Sequence, residues 1–252
     1  MRTGDDAVAA LRAALAEARA AVVFTGAGIS TEAGIPDYRS PGGIWDRYRP
    51  VDFADFLASD EMRREFWRRK FATQGAIDDA IPGPGHRAVA ALMRRGLVSW
   101  VITQNVDGLH QRAGVPEARV IEIHGNTTYA VCLECGRRHE LAPIRAAFEA
   151  RGALPVCVDC GGLVKTATIS FGQAMPVDEM RRAEEAAKAC DLFLAIGSSL
   201  RVYPAAELPA IAKRAGARLV IVNREATELD PAADLVLRCE IGPTLGAAVG
   251  LD

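Results

Sequence analysis

The sequence contains no apolar run that approaches the roughly 18 residues of a membrane-spanning helix. Its formal net charge is only -2 over 252 residues, so no overall charge attracts the chain to nucleic acid or to an anionic membrane. The first residues, Met1-Arg2-Thr3-Gly4-Asp5-Asp6, carry acids rather than a basic region followed by an apolar one. We therefore expect a cytoplasmic protein with no nucleic-acid partner and no membrane partner.

Internal repeats and low-complexity segments are also missing, apart from alanine-rich helical stretches. Half of the residues are hydrophobic and a quarter are charged, so a substantial core can form. Strand-like apolar runs alternate with helical patterns, which predicts an α/β fold with a mostly parallel sheet covered by helices on both faces. The expected strands are 21–25, 97–102, 119–123, 166–171, 191–196, 217–222 and 234–238. The expected helices include 52–72, 143–151, 178–189 and 204–214.

Two glycines, Gly26 and Gly28, follow the first strand. They permit a sharp turn and a close approach of a ligand to the backbone, and a helix beginning there would direct unpaired N–H groups at a phosphate. The dinucleotide fingerprint requires a third glycine where Thr31 stands, so this turn by itself indicates a ligand only weakly.

Polar side chains and glycines collect just after the predicted strands, where open α/β sheets bind ligands. Gln104, Asn105 and Asp107 bring amide and carboxylate groups to one strand end. His124 directly follows another strand, and a neutral imidazole there could act as a general base near pH 7. His86 and His110 fall on helices and are expected to be structural.

The six cysteines include two Cys-x-x-Cys pairs, and Gly136 and Gly161-Gly162 follow the pairs. Four thiolates arranged in this way are typical of a structural zinc site without an open position for catalysis. The expected ligands are Cys132, Cys135, Cys157 and Cys160. A redox dithiol or a chance pairing is the alternative. His139 is surplus to such a site, and Cys190 and Cys239 are expected to be small buried hydrophobes.

Taken in order along nearly the whole chain, these motifs resemble those of the sirtuins, the Sir2 family of NAD-dependent protein lysine deacylases, in a compact prokaryotic form. The matching stretches are Thr25-Gly26-Ala27-Gly28-Ile29-Ser30, Gly34-Ile35-Pro36-Asp37-Tyr38-Arg39, Thr103-Gln104-Asn105-Val106-Asp107, Glu122-Ile123-His124-Gly125, the two cysteine pairs, Gly197-Ser198-Ser199-Leu200 and Val222-Asn223.

The resemblance implies a Rossmann-like large domain and a small domain made of a zinc-binding module and a helical module. The large domain would comprise 1–35, 86–128 and 166–252. The cofactor loop and helical module would be 36–85, and the zinc-binding module 129–165. NAD, a consumed cosubstrate, and the acyl-lysine protein or peptide would bind between the domains.

The resemblance also implies roles for individual residues. The diphosphate and nicotinamide end of NAD would meet Gly26, Ala27, Gly28, Thr31, Tyr38 and Arg39. The nicotinamide and ribose pocket would be completed by Gln104, Asn105, Val106 and Asp107. The adenosine half would be held by Gly197, Ser198, Ser199, Asn223 and Glu240. The peptide would add as a strand between Gly172-Gln173 and the loop 199–203, with contacts from Ile169, Phe171, Gly172 and Val202.

In the mechanism that the resemblance implies, the acyl oxygen attacks the ribose carbon that bears nicotinamide, which leaves, and an alkylamidate intermediate forms. His124 then removes a proton from a ribose hydroxyl, while Asn105 and Asp107 orient the ribose and the carboxamide. The products would be nicotinamide, O-acyl-ADP-ribose and free lysine.

Some positions depart from the family pattern. Tyr38 stands where the family usually has Phe, and its hydroxyl requires a hydrogen-bond partner. The stretch from Lys165 to Gln173 replaces a more usual Arg-Pro-x-Val-x-Phe-Gly-Glu, with Ser170 in place of a bulkier apolar residue. Trp67 and Lys70 occupy the places of the Tyr-x-x-Arg pair that favours succinyl or malonyl groups. We therefore expect acetyl as the substrate group, although Lys70 could meet an acidic acyl group as a point charge.

Two alternatives keep the same fold: a mono-ADP-ribosyltransferase acting on protein, and a non-catalytic module that senses NAD. Asn105, Asp107 and His124 favour deacylation over the first, and His124 argues against the second. A nicotinamide dehydrogenase is disfavoured because the turn lacks both the third glycine and a convincing acidic residue about 20 positions further on.

Overall fold

The structure is a computed structural model that describes residues 4–38, 43–44 and 49–251. Its strands are β1 (Ala21–Thr25), β2 (Val98–Thr103), β3 (Val120–Glu122), β4 (Gly125–Cys132), β5 (Arg138–Glu140), β6 (Val164–Thr168), β7 (Leu192–Ile196), β8 (Arg218–Val222) and β9 (Leu235–Leu237). Its helices are α1 (Gly4–Glu17), α2 (Phe53–Ala58), α3 (Asp60–Asp78), α4 (Pro84–Arg94), α5 (Leu109–Arg112), α6 (Leu141–Arg151), α7 (Val177–Ala189), α8 (Leu208–Arg214) and α9 (Ile241–Val249).

Six strands form a parallel sheet in the order β3-β2-β1-β7-β8-β9. All five residues of β1 and all five of β7 are buried, because helices cover both faces of the sheet. Alternate side chains therefore enter two separate cores: Val23 and Leu194 pack with α1, α4 and α9, whereas Phe24 and Phe193 pack with α7 and α8. The expected Rossmann-like fold is confirmed.

The order of the strands places a topological switch point between β1 and β7. From β1 the chain proceeds outward to β2 and β3, and it later returns to the other side of β1 with β7. Loops that leave the two central strands diverge at such a point and open a crevice at their carboxyl ends, where α/β sheets bind ligands. The two glycine turns, at Gly26 and Gly197, lie there.

A second sheet has three antiparallel strands in the order β5-β4-β6. It packs on α3 through a third apolar core that contains Trp67, Phe71, Ala130 and Val164. The strand expected at 166–171 in the parallel sheet is instead β6, which belongs to this smaller sheet and ends at Thr168. The chain turns directly afterwards, where Gln173 N–H donates to Ser170 O over 3.0 Å.

The single helix expected at 52–72 is two helices, α2 and α3, divided at Ser59. Ser59 has an extended backbone (φ -139°), and its hydroxyl accepts a hydrogen bond from Met62 N–H. An N-cap serine begins a new helix by satisfying one of its unpaired donors. Among the described residues, no helix is long and apolar enough to cross a membrane.

Candidate active site

Close packing between the two central loops accounts for the glycines after β1. A Cβ on Gly26 would lie 2.7 Å from Gly197 O, and one on Gly28 would lie 2.8 Å from Gly197 Cα. Gly197 itself has φ +62°, and its Cβ would lie 2.5 Å from Ile29 N. The N–H groups of Gly26 and Gly28 donate to Ile196 O and Gly197 O. These two N–H groups are therefore used within the protein rather than directed at a ligand.

The segment after β1 forms two short 3₁₀ turns, Ala27–Ile29 and Thr31–Ala33. Thr31, at the place of the missing third glycine, donates its hydroxyl proton to Gly28 O over 3.0 Å. The side chain thus stabilises the turn that a glycine would leave to the backbone alone.

A buried hydrogen-bond network fixes Asn105 and Asp107. Asn105 Nδ2 donates to Gly26 O and to Ser30 Oγ, both at 3.0 Å, and Ser30 Oγ donates to Asp107 Oδ2 over 2.7 Å. Asp107 Oδ1 accepts from Leu109 N–H, at the start of α5. Both protons of the Asn105 amide are used, so Oδ1 is its atom for accepting a bond from a ligand.

His124 is held in one tautomer by its neighbour. Its Nδ1 lies 3.1 Å from Gln104 O, and a carbonyl only accepts, so Nδ1 carries the proton and Nε2 keeps a lone pair. Burial lowers the pKa of His124 below its usual 6.5, while the bond to Gln104 opposes that shift. The imidazole is therefore neutral near pH 7, as a general base must be.

Gly125, immediately after His124, stands where the backbone and its surroundings leave no room for a side chain. It has φ +73°, and a Cβ there would lie 1.9 Å from Ala167 O. His124 O accepts from Ile169 N–H at 2.9 Å. The backbone on each side of the imidazole is thus fixed against the end of β6.

One cavity of about 580 Å³ lies at the carboxyl ends of the parallel strands and extends to the small sheet. Eighteen of the twenty predicted NAD, catalytic and peptide residues line it. They are Gly26, Ala27, Gly28, Thr31, Tyr38, Gln104, Asn105, Val106, His124, Ile169, Phe171, Gly172, Gly197, Ser198, Ser199, Val202, Asn223 and Glu240. Asp107 is buried behind this lining, and Arg39 lies outside the described residues.

The end of the cavity predicted to hold adenosine is formed by the loops after β7, β8 and β9. Ser198 Oγ accepts from Gln104 Nε2 over 2.8 Å and from Leu200 N–H. Asn223 Nδ2 donates to Glu225 O over 2.9 Å. Arg224 and Glu240 form an exposed ion pair at 3.6 Å.

Tyr38 faces the Asp107 network. Burial and the negative charge of Asp107 both raise the pKa of its phenol above 10.0. The hydroxyl therefore stays protonated at any physiological pH.

Trp67 and Lys70, which occupy the positions of the Tyr-x-x-Arg pair, are both held by contacts within the protein. Trp67 is fully buried in the third core. Lys70 lines the cavity, but its ammonium donates to Gln74 Oε1 and, at 2.6 Å each, to Thr127 O and Thr127 Oγ1. An ammonium has three protons, and these bonds use all of them. Burial lowers the pKa of Lys70 to about 8, and Asp78 opposes the shift.

Gln173, where the sequence departs from the family pattern, makes a hydrogen bond within its own loop. Its Oε1 accepts from Ser170 N–H over 3.1 Å and closes the turn after β6. Both Ser170 and Gln173 line the cavity.

Several functional-site residues were not predicted from the sequence. Ser30 joins Asn105 to Asp107, and Glu32 accepts from Gly242 N–H at the start of α9. Thr25 Oγ1 lies 2.9 Å from His110 Nε2 and donates to Thr103 Oγ1, which in turn accepts from Asn105 N–H. Ser30, Thr25 and Thr103 fall within motifs that resemble the family, whereas nothing local in the sequence distinguishes Glu32.

The four predicted zinc ligands converge. Their sulfur atoms all lie within 4.8 Å of one another, with Cys132 Sγ 3.5 Å from Cys160 Sγ and Cys135 Sγ 3.6 Å from Cys157 Sγ. Four sulfurs about 2.3 Å from a tetrahedral zinc would be about 3.8 Å apart, so the cluster fits zinc. Two matched turns build it, with Gly136 N–H donating to Cys132 O and Gly161 N–H to Cys157 O.

Comparisons with known proteins agree with this geometry. The family model described as the Sir2 family matches residues 26–204. NAD-dependent protein deacetylase 1 of Bradyrhizobium diazoefficiens is 60% identical over 236 residues, which cover 94% of this chain and 92% of that protein. NAD-dependent protein deacetylase of Rhodopseudomonas palustris is 57% identical, over 94% of this chain and 93% of its own.

Solved structures are similar over almost their whole length. One, described as "Structural Basis for the Mechanism and Regulation of Sir2 Enzymes", has a TM-score of 0.85 at 41% identity and covers 98% of each chain. Another, described as "Sir2-p53 peptide-NAD+", has a TM-score of 0.86 at 35% identity and covers 96% of this chain and 98% of its own.

Proposed function

The chain belongs to the Sir2 family, and on that premise we propose that it removes acetyl groups from lysine side chains of proteins. NAD is consumed in the reaction, and the products are nicotinamide, O-acetyl-ADP-ribose and free lysine. The relatives named NAD-dependent protein deacetylases support this activity, as does the solved Sir2 structure with peptide and NAD.

The arrangement of His124 carries the proposal. Its neutral imidazole lines the cavity, and the Gln104 carbonyl holds the proton on Nδ1. Nε2 is therefore the atom that accepts a proton, and we assign to it the proton of a ribose hydroxyl. A base that is already neutral near pH 7 needs no prior deprotonation.

The cavity fits NAD at the switch point of the sheet, where the loops after β1 and β7 meet closely at Gly28 and Gly197 and both glycines line the cavity. When bound, NAD supplies the ribose carbon that the acyl oxygen attacks and the nicotinamide that leaves. Asn105 would accept a bond through Oδ1, and Tyr38 would line the nicotinamide end of the site. Asp107 would position Ser30 and thereby Asn105, which makes it a positioning residue rather than one that touches the reacting atoms.

We assign the remaining lining residues as the sequence predicted. Ala27, Thr31 and Val106 would contact the diphosphate and nicotinamide portion, and Ser198, Ser199, Asn223 and Glu240 the adenosine portion. Ile169, Phe171, Gly172 and Val202 would meet the peptide, which would add as a strand between 172–173 and 199–203. The zinc would be structural, because four thiolates leave it no open position.

A cytoplasmic location is part of the proposal. A reducing compartment keeps the four clustered thiols available to a metal ion, whereas an oxidising one favours disulfides. Fractionation of the source cells, with detection of the protein by antibody, tests this point.

Product analysis tests the activity. Purified protein is incubated with NAD and an acetyl-lysine peptide, and the products are measured by mass spectrometry. Equal amounts of deacetylated peptide, nicotinamide and O-acetyl-ADP-ribose are expected. Unchanged peptide together with an ADP-ribose mass on protein would favour the ADP-ribosyltransferase instead. NAD binding without turnover would favour the sensing module.

A further inference from the structure

The hydrogen-bond network around Asn105 continues past Asp107 and returns to Asn105 by a second route. The first route runs from the Asn105 side chain through Ser30 to Asp107. Asp107 Oδ1 then accepts from the N–H of Leu109, the first residue of α5. His110, the next residue of this helix, begins the second route. The short helix α5 therefore connects the two routes.

The second route leads from His110 to the backbone of Asn105. His110 Nε2 lies 2.9 Å from Oγ1 of Thr25, the last residue of β1. Thr25 Oγ1 donates over 2.8 Å to Oγ1 of Thr103, the last residue of β2. Thr103 Oγ1 also accepts from Asn105 N–H over 3.0 Å. The two routes thus close a ring of hydrogen bonds that holds Asn105 by its side chain and by its backbone.

The direction of these bonds determines which nitrogen of His110 carries the proton. A hydroxyl has one proton to donate, and Thr25 donates its proton to Thr103. Thr25 Oγ1 must therefore accept from His110, so Nε2 carries the proton. Burial lowers the pKa of His110 well below its usual 6.5, and His86 lowers it further, so the imidazole is neutral at physiological pH. His124 has the opposite tautomer, with its proton on Nδ1.

The imidazole of His110 is fixed by its surroundings. His110 and His86 are both fully buried. The His86 ring, on α4, meets the His110 ring edge-on, with centroids 5.0 Å apart and an interplanar angle of 63°. His110 O accepts from Val115 N–H over 3.1 Å, which anchors the backbone of the same residue. A donor that is buried and packed in this way holds one bond geometry, because solvent does not compete for it.

His110 lies behind the cavity lining and does not belong to it. It therefore acts on the reaction only through other residues. Thr25 and Thr103 are register partners where β1 and β2 end, so the His110 bond holds the two strand ends together directly before Asn105. Asn105 Oδ1 is the atom assigned to accept a bond from NAD, and a shift of its backbone would displace that atom. Small displacements of an orienting group are costly to the rate.

We propose that His110 is a positioning residue for the reaction, and that its Nε2–H group orients Asn105 through the two threonine hydroxyls. The inference rests on the proposed deacylase function and adds to it a residue outside the cavity. The contacts assigned to NAD are spread over the whole cavity, whereas the orientation of the ribose depends on a few atoms. Loss of the His110 donor should therefore lower kcat more than it raises KM.

Two amide variants of His110 test the proposal, because they place a donor differently. The amide nitrogen of His110→Gln reaches the place of Nε2, whereas that of His110→Asn reaches only the place of Nδ1. Both variants lose the ring and its contact with His86, so a role in packing alone would make them equal. We expect His110→Asn to lower kcat for an acetyl-lysine peptide about tenfold, with both KM values within about threefold. His110→Gln should keep kcat within about threefold of the unaltered enzyme.

Thr25 provides a second test that leaves His110 in place. Thr25→Val keeps the shape of the side chain and interrupts the ring of bonds at its next member, whereas Thr25→Ser keeps the hydroxyl. The valine variant should lose kcat as His110→Asn does, and the serine variant should retain it. The double variant should lose no more than either single change, because both interrupt one chain of bonds. Additive losses would overturn the proposal, and thermal melting confirms that each variant is folded.

Nitrogen-15 NMR of the imidazole rings tests the place of the proton without any turnover. We expect the proton on Nε2 in His110 and on Nδ1 in His124. The spectrum of His110→Gln identifies the first ring by its absence. A proton on Nδ1 of His110 would overturn the proposal, because Thr25 would then have no donor.

The outcomes separate this inference from the proposed function. Equal kcat values for His110→Gln and His110→Asn, with acetyl removed normally by the unaltered enzyme, overturn the inference and leave the deacetylase intact. No deacetylation by the unaltered enzyme counts against the proposed function. Hydrogen exchange at Asn105 N–H then decides the inference, and it should be faster in His110→Asn than in His110→Gln. Equal exchange rates in the two variants would show that His110 does not hold Asn105.

Discussion

At the scale of single residues, the protonation state of His124 determines how the reaction rate falls at acidic pH. Its pKa lies below the usual 6.5 because the ring is buried. We expect kcat/KM to fall as the pH drops through that lowered pKa, since the base becomes protonated, and to be level from there to pH 8. His124→Ala should lower turnover by orders of magnitude at every pH.

Isothermal titration of the His124→Ala variant with NAD provides the control, because the fold and NAD binding should be largely retained. Normal turnover by the folded variant would show that another group accepts the proton.

Steric exclusion at Gly197 gives a second prediction at this scale. Gly197→Ala would place a Cβ 2.5 Å from Ile29 N as well as straining a backbone at φ +62°. Gly96→Ala has a similar strain at φ +74° with nothing within 4 Å of the added carbon. We expect Gly96→Ala to cost about 1 kcal/mol and Gly197→Ala considerably more. Urea unfolding measures both, and equal costs would show that the two central loops separate easily.

At the residue scale, the sequence indicates which groups are neighbours where local order and strand ends fix their positions. His124 and Gln104 follow adjacent parallel strands, so their meeting could be expected from the topology alone. The bonds of Lys70 to Thr127 could not, because they join residues 57 positions apart on different modules. Such contacts depend on how the modules pack, and local spacing carries no information about that packing.

At the scale of elements, the zinc cluster maintains the small sheet. Cys132 ends β4, and its side chain contributes to the core that this sheet shares with α3. Cys132→Ser should lose zinc and remove hydrogen-exchange protection from β4, β5 and β6, because metal binding is coupled to folding. The buried strands β1 and β7 should remain protected.

Cys190→Ser provides the control for that experiment, because Cys190 belongs to a core on the parallel sheet and not to the metal cluster. It should retain one zinc per chain. Retained protection of β4 in zinc-free Cys132→Ser would show that apolar packing on α3 is sufficient.

Lys165 on β6 gives a pH-dependent prediction. It is fully buried, and burial lowers its pKa to about 7 from 10.5. Between these values the unfolded chain binds more protons than the folded one, so stability rises with pH. The loss of stability caused by burying the charged Lys165 ammonium is complete below pH 7 and decreases as the pH rises above it. Lys165→Met should therefore remove a slope of about 1 kcal/mol per pH unit between pH 7 and 9.

Lys188→Met is the matched control, because the Lys188 side chain is 57% exposed and forms an ion pair with Glu184 on the surface of α7. Urea unfolding at saturating zinc, at several pH values, compares both variants with the unaltered protein. Identical slopes in all three proteins would show that Lys165 is hydrated in the folded state.

The expectation that β6 belongs to the parallel sheet was wrong. The pattern of a strand does not indicate which strand it pairs with. The run from Val164 to Phe171 has the alternation and β-branched residues of a strand. Whether it pairs in parallel with the large sheet or antiparallel with β4 depends on long-range contacts. The zinc cluster brings residue 132 to residue 160 and thereby sets β6 beside β4, so the metal ligands were the better guide to its partner.

At the scale of the whole molecule, the cavity is built where three parts of the chain meet. The parallel sheet contributes the loops at Gly26, Gly197 and Asn223, the small sheet contributes Thr166 and Thr168, and α3 contributes Lys70. The sequence predicted this arrangement through its resemblance to a family. Without that resemblance, the sequence predicted a parallel α/β sheet, a four-cysteine zinc site, and polar residues with His124 as a candidate base at the strand ends.

This division of the cavity leads to a prediction for zinc removal. NAD is assigned mainly to loops of the parallel sheet, whereas the acyl-lysine peptide is assigned to the junction with the small sheet. After removal of zinc with a chelator, the Kd for NAD should change by only a few fold, while the Kd for an acetyl-lysine peptide should rise at least tenfold. Titration calorimetry measures both, and addition of zinc should restore peptide binding. An equal loss of both affinities would mean that the two sheets unfold as one cooperative unit.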